Sequence, residues 1–145
     1  MEQISTSSQV RLLGIVQIAV GIGILGFWLL FHTVGMAPAN PPPGYFAFEH
    51  SFLPPDTILA LALVASGWNV LAADTWGRSV ALVCAGGLLF LGIIDLTFNL
   101  QNGMYGGAFA DALQAAAIPF VCTGVGVWIV AVHGRAPDRC SIAGT

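Results

Sequence analysis

Four long apolar runs, separated by short polar breaks, order this chain: residues 12–31, 57–73, 79–98 and 112–132. Each falls within the roughly 17–25 residues an α-helix needs to cross a bilayer. None shows the strict alternation of a half-buried strand. The pattern predicts an all-α integral membrane protein, a four-transmembrane-helix bundle with a structured outer loop between helices 1 and 2. Residues 1–135 form one four-helix transmembrane domain, with 1–10 frayed and 136–145 a disordered cytoplasmic tail. The rival for the first run is a cleaved secretory signal, suggested by Ala37-Pro38-Ala39. That run is longer than the usual 7–15-residue signal core and the motif contains a proline, so a retained span is favoured.

The breaks carry most of the local information. Residues 33–55 are the only long connection, opened by Pro41-Pro42-Pro43 and closed by Pro54-Pro55. Tyr45, Phe48 and Phe52 recur at i, i+3 and i+7, one face of a short helix lying at the interface or re-entering it. Asp56 follows the prolines and is expected to cap the second span. The sequence 74–78 is a tight turn with Trp76 at interfacial depth, and 99–107 is a polar, glycine-rich turn. Gly86-Gly87 is expected to allow close helix approach. Pro119 should kink the last span and release a backbone carbonyl for a neighbour.

Composition narrows the class. The chain has 145 residues, 57% hydrophobic and 8% charged, against about 25% charged in soluble domains. There is no lysine, and the formal charge is −3, so no basic surface for nucleic acid exists. Arg11, Arg78, Arg135 and Arg139 all fall on one side of a four-span topology. The positive-inside rule therefore puts both termini in the cytoplasm. Cys84, Cys122 and Cys140 have neither CxxC nor ligand spacing, and Cys122 differs in depth from Cys84, so no bond joins them. No cofactor or metal site is expected: bis-histidine haem is excluded by His32 and His133 at opposite faces, and HExxH-type spacing is missing.

Polar residues inside the spans form two layers. Gln17, Asn69 and Cys84 lie roughly 7–9 Å above the inner boundary at helical rise, and Gln17 is expected to hydrogen-bond Asn69. The outer layer is richer. Asp95 lies near the C-terminal end of its span, where the helix dipole opposes a negative charge and apolar surroundings make charge costly. Asn99 and Asn102 share its face at i+4 and i+7, so Asp95 either clamps the span to the following turn or serves a ligand, proton or ion. Asp56 and Asp111 each begin a helix, which accounts for them.

These features predict a small polytopic membrane protein that binds a small or lipidic ligand near its extracytoplasmic face, as a transporter-like unit or accessory subunit. Asp95 is the central contact, with Glu49, His50, Asn99, Asn102 and Gln114 around it, and Trp28, Tyr45, Phe48 and Tyr105 as apolar walls. The alternatives are a membrane-embedded enzyme of isomerase or hydrolase type, with Asp95 or Glu49 as acid or base and His50 as partner, and a purely structural subunit. The lipid bilayer is the first partner. A homo-oligomer or larger complex is the second, because four short helices enclose little volume.

Overall fold

A computed structural model of the protein describes residues 2–134, with the side chains of residues 8–134 apart from Thr75. Arg135, Arg139, Cys140 and the expected tail lie outside the described residues. Four α-helices follow in order: α1 (Glu2–Thr33), α2 (Tyr45–Leu71), α3 (Thr75–Gln101) and α4 (Phe109–His133), with one 3-10 turn at Met104–Gly106. All four are long and apolar enough to cross a membrane. Large apolar side chains point outward along them, as at Ile22 (59% exposed), Val83 (76%) and Phe120 (66%), the distribution expected of helices whose surroundings are themselves apolar.

The helices are longer than the apolar runs suggest. α1 is helical from Glu2 rather than frayed to Val10. The larger difference is α2, which begins at Tyr45 and passes straight through Pro54 and Pro55. Asp56 is therefore not a helix cap, and the connection shrinks to 34–44. Gly44 turns the chain into α2 at φ 82°, a left-handed conformation that glycine adopts without strain. Gly44 O then accepts from Phe48 N at 2.9 Å. The helical face expected of Tyr45, Phe48 and Phe52 is present, and it packs inward. Phe48 stacks on Phe98 of α3 at 3.9 Å and 7°, with Phe52 behind it at 4.8 Å. Prolines fit helical φ but lack a donor and crowd the carbonyl four residues back, so tertiary contacts must offset them. With this aromatic stripe docked on α3 before the prolines and Asp56 bonded to Trp28 of α1 after them, the helix continues.

Sequential helices pack as antiparallel neighbours, α1 on α2, α2 on α3 and α3 on α4, whereas α1 and α4 barely touch. Leu13, Leu63, Ala85, Leu88 and Ile129 are fully buried between them. Glycines set the close approaches. A Cβ on Gly67 would lie 2.5 Å from Gly14 O of α1, and one on Gly92 would lie 2.9 Å from Pro119 O of α4. Of the Gly86-Gly87 pair, Gly86 meets nothing within 4 Å, while a Cβ on Gly87 would lie 3.0 Å from Leu59 Cδ1 of α2, so the close approach is at Gly87.

The end of the bundle carrying Arg11 and Arg78 is closed by polar bonds. Arg78 Nε donates to His133 O at 2.9 Å. Fully buried Gln17 accepts from Ser66 Oγ at 2.7 Å, not from Asn69. The close approach at Gly14 and Gly67 brings Ser66 level with Gln17 and leaves Asn69 half-buried one turn farther along. At the opposite, aromatic end, Trp28, Phe31 and Tyr45 form a second buried cluster.

Candidate functional site

Continuity of α2 decides what the aromatic end can do. Glu49 and Asp56 are seven residues apart, two turns, so an unbroken helix puts both on one face. That face looks into a cavity of about 440 Å³. α1 contributes Val20, Gly23, Ile24, Phe27 and Trp28; α2 contributes Phe48, Glu49, Phe52 and Asp56. Leu91 and Asp95 of α3 form the back, and Ala117, Ile118, Val121 and Cys122 of α4 the far side. The walls are apolar except for three carboxyl groups, and no basic side chain lines them. Glu49 and Asp56 each lie within electrostatic reach of Asp95.

Asp56 is the most enclosed of the three, at 6% exposure. Its Oδ2 accepts from Trp28 Nε1 at 3.0 Å, which bolts α1 to α2. Its Oδ1 is buried with no hydrogen-bond partner. Buried polar atoms are nearly always paired, and an unsatisfied one costs about 1–3 kcal/mol. An orphaned carboxyl oxygen on a residue that lines a cavity has unused hydrogen-bonding capacity beside the space a ligand would fill.

Asp95 is half-buried and more loosely held. Asn99 Nδ2 reaches its Oδ1 at 3.4 Å and donates at 3.0 Å to Ala115 O. Ala115 is the residue four before Pro119, so its carbonyl is the one a proline in the helix leaves without a donor. Asn99 thereby joins α3 to the proline site of α4 and holds one edge of Asp95. Asn102 takes no part: its side chain is exposed and donates to Phe98 O at 2.9 Å.

A second pocket, about 30 Å³, adjoins the first through Phe27, Glu49, Asp95 and Ile118. Tyr45, Asn99, Asp111 and Gln114 line it. The Tyr45 hydroxyl is hydrogen-bonded to Glu49, one turn on, and Gln114 Nε2 donates to Met36 O at 2.9 Å, tying the 34–44 connection to α4. Asp111 lies in the first turn of α4, where an acidic side chain suits the dipole.

Of the residues singled out from sequence, Trp28, Phe48, Glu49 and Asp95 line the large cavity, and Tyr45, Asn99 and Gln114 the small one. His50, Asn102 and Tyr105 border neither. His50 is exposed and stacks on His32 with ring centroids 5.8 Å apart, while His32 Nδ1 lies 2.9 Å from Trp28 O. Tyr105 sits in the Met104–Gly106 turn with its hydroxyl buried and unpaired. Sequence reasoning missed Asp56 as a cavity residue. The i+7 spacing from Glu49 was the available signal, hidden by Pro54-Pro55. It also missed the apolar lining from Phe27, Phe52, Leu91 and Ile118, which look like any other apolar positions. Among the described residues no group of three or more His, Cys, Asp or Glu side chains could hold a metal ion.

No protein-family model, curated protein or solved structure matches the chain.

Proposed function

We propose that this is a small polytopic membrane protein whose cavity binds a small or lipidic ligand toward the extracytoplasmic face, as a transporter-like unit or an accessory subunit of a membrane complex. The observation that carries the reading is buried Asp56, with its Oδ1 unpaired, in the lining of a cavity that is apolar apart from its three carboxyl groups. Ligand sites commonly have this make-up, apolar walls with a few converging polar groups in some 300–1,000 Å³. Arg11 and Arg78 lie toward the opposite end from the cavity's carboxyl groups, so the positive-inside rule turns the carboxyl end outward and the N-terminus inward. The 27 residues of α2 amount to about 40 Å, roughly 10 Å more than the hydrocarbon core. Its first two turns then stand in the interface, with Asp56 roughly 7 Å below its edge.

Gly26 and Gly86 face outward with nothing within 4 Å of a Cβ, which suits docking of another helix in a homo-oligomer or larger complex. An acid–base enzyme acting on an apolar substrate is the second reading. The same three carboxyl groups favour it, now with Asp56 rather than His50 beside Glu49 and Asp95.

A thermal-shift screen of lipophilic compounds on purified protein tests the proposal. Gly23→Phe and Ala117→Phe fill the cavity from opposite sides; a Cβ on Gly23 meets nothing within 4 Å, so the helix itself tolerates the change. Compounds that stabilise wild type should lose their effect on both variants. A screen in which the same compounds stabilise all three proteins equally overturns the proposed site.

A further inference from the structure

The cavity has a side entrance. α1 and α4 are the two helices that barely meet, and the cavity lies between them against α2 and α3. Ala19 and Gly23 on α1, and Ala117 and Val121 on α4, are both exposed on the outer surface and part of its lining. Three of these four are Gly or Ala, so the seam is held open by small side chains. A ligand reaching the cavity this way comes from the apolar phase around the helices, and must be lipophilic.

Its charge follows from the lining. Glu49, Asp56 and Asp95 share the cavity, and no lysine exists anywhere in the chain to pair with them. Arg11 and Arg78 are at the far end. Carboxyl groups in apolar surroundings are tolerated only when neutralised or paired. Asp56, over nine-tenths buried, lines this space and carries an unpaired Oδ1. The rings of Phe27, Trp28, Phe48 and Phe52 line the same cavity, and aromatic faces attract a cation, more so when desolvated. The carboxyl groups do not converge into a metal-holding cluster, so a compact ion is a poor fit and a bulky one a good fit.

We infer that the ligand is a lipophilic organic monocation that enters sideways between α1 and α4 and is held by the Glu49–Asp56–Asp95 carboxyl groups within the aromatic walls. The inference rests on the binding reading above and names the class of ligand.

Three probes of one shape and different charge test it: tetraphenylphosphonium, tetraphenylborate and neutral tetraphenylmethane. Each is radiolabelled, and binding is measured to protein in zwitterionic nanodiscs over empty nanodiscs. Tetraphenylphosphonium should saturate at least tenfold more tightly than the other two, and Gly23→Phe should abolish its binding. Glu49→Gln/Asp56→Asn/Asp95→Asn should weaken it at least tenfold. Should that triple variant not fold, the three-probe comparison on wild type decides alone. Equal binding of cation and neutral probe, both blocked by Gly23→Phe, overturns the cation inference and leaves the cavity reading standing. Cation binding that survives Gly23→Phe overturns the site. Absence of binding by all three probes overturns the inference, while the compound screen judges the cavity separately.

Discussion

Removing the Trp28–Asp56 bond should cost more than either residue's packing explains. Both partners are over nine-tenths buried and the Nε1–Oδ2 distance is 3.0 Å, so neither finds water when the other is truncated. Interhelical hydrogen bonds in membrane proteins average about 0.6 kcal/mol by double-mutant cycles and reach about 1.7. The geometry and burial here place this bond near the top, at roughly 1–1.7 kcal/mol. Trp28→Phe also loses edge contacts with Phe27 and Phe31, and Asp56→Ala relieves a buried carboxyl, so each single variant mixes several effects. The cycle Trp28→Phe, Asp56→Ala and the double variant isolates the pair. SDS-induced unfolding from mixed micelles, followed by far-UV circular dichroism, gives the four stabilities. Asp56→Asn keeps an acceptor for the indole and should cost less than Asp56→Ala. A coupling within the ~0.3–0.5 kcal/mol scatter of independent sites would refute the interhelical role of Asp56 and return it to an ordinary polar position in a helix.

Gly67→Ala should destabilise by about 1–3 kcal/mol through overpacking, since its Cβ would lie 2.5 Å from Gly14 O and 2.7 Å from Ile18 Cγ1; Gly23→Ala should be close to neutral in the same assay. Asn99→Leu should destabilise wild type by about 1 kcal/mol through the Ala115 carbonyl it leaves unpaired, and less in a Pro119→Ala background, where the restored backbone N–H can take that carbonyl. Equal costs in both backgrounds would sever Asn99 from the proline. A cysteine at exposed Asn102 should react with an impermeant maleimide on intact cells and one at exposed Trp76 only after permeabilisation; the reverse pattern would invert the topology.

Much of the fold was legible in the sequence because apolar runs of bilayer length are a strong signal. Asp95 and Asn99 were legible as a pair because their i+4 spacing lies on one helix face. The bounds of α2 were not. Pro54-Pro55 followed by an acidic residue is a good local signature of a helix start, and it is overridden by the stacking of Phe48 on Phe98, a contact between residues 50 apart. That override also concealed Asp56, whose meaning depends on whether the helix is broken just before it. Depth along a span was readable from the rise per residue, which put Gln17 level with the right part of α2. It was readable only to within a turn: Asn69 lies one turn beyond Ser66 on the same face, and Ser66 is the partner. His50 sits one residue from Glu49 and therefore points elsewhere once the segment is helical. The orientation argued from arginines draws in part on Arg135 and Arg139, outside the described residues.

Native mass spectrometry of the protein released from nanodiscs, after incubation with a membrane lipid extract, bears most directly on whether the cavity is a binding site. Wild type should carry one small lipophilic molecule per occupied cavity that survives activation sufficient to strip bulk lipid. Gly23→Phe and Ala117→Phe, folded and equally stripped, should not carry it. The same adduct at the same occupancy on all three proteins would contradict the account.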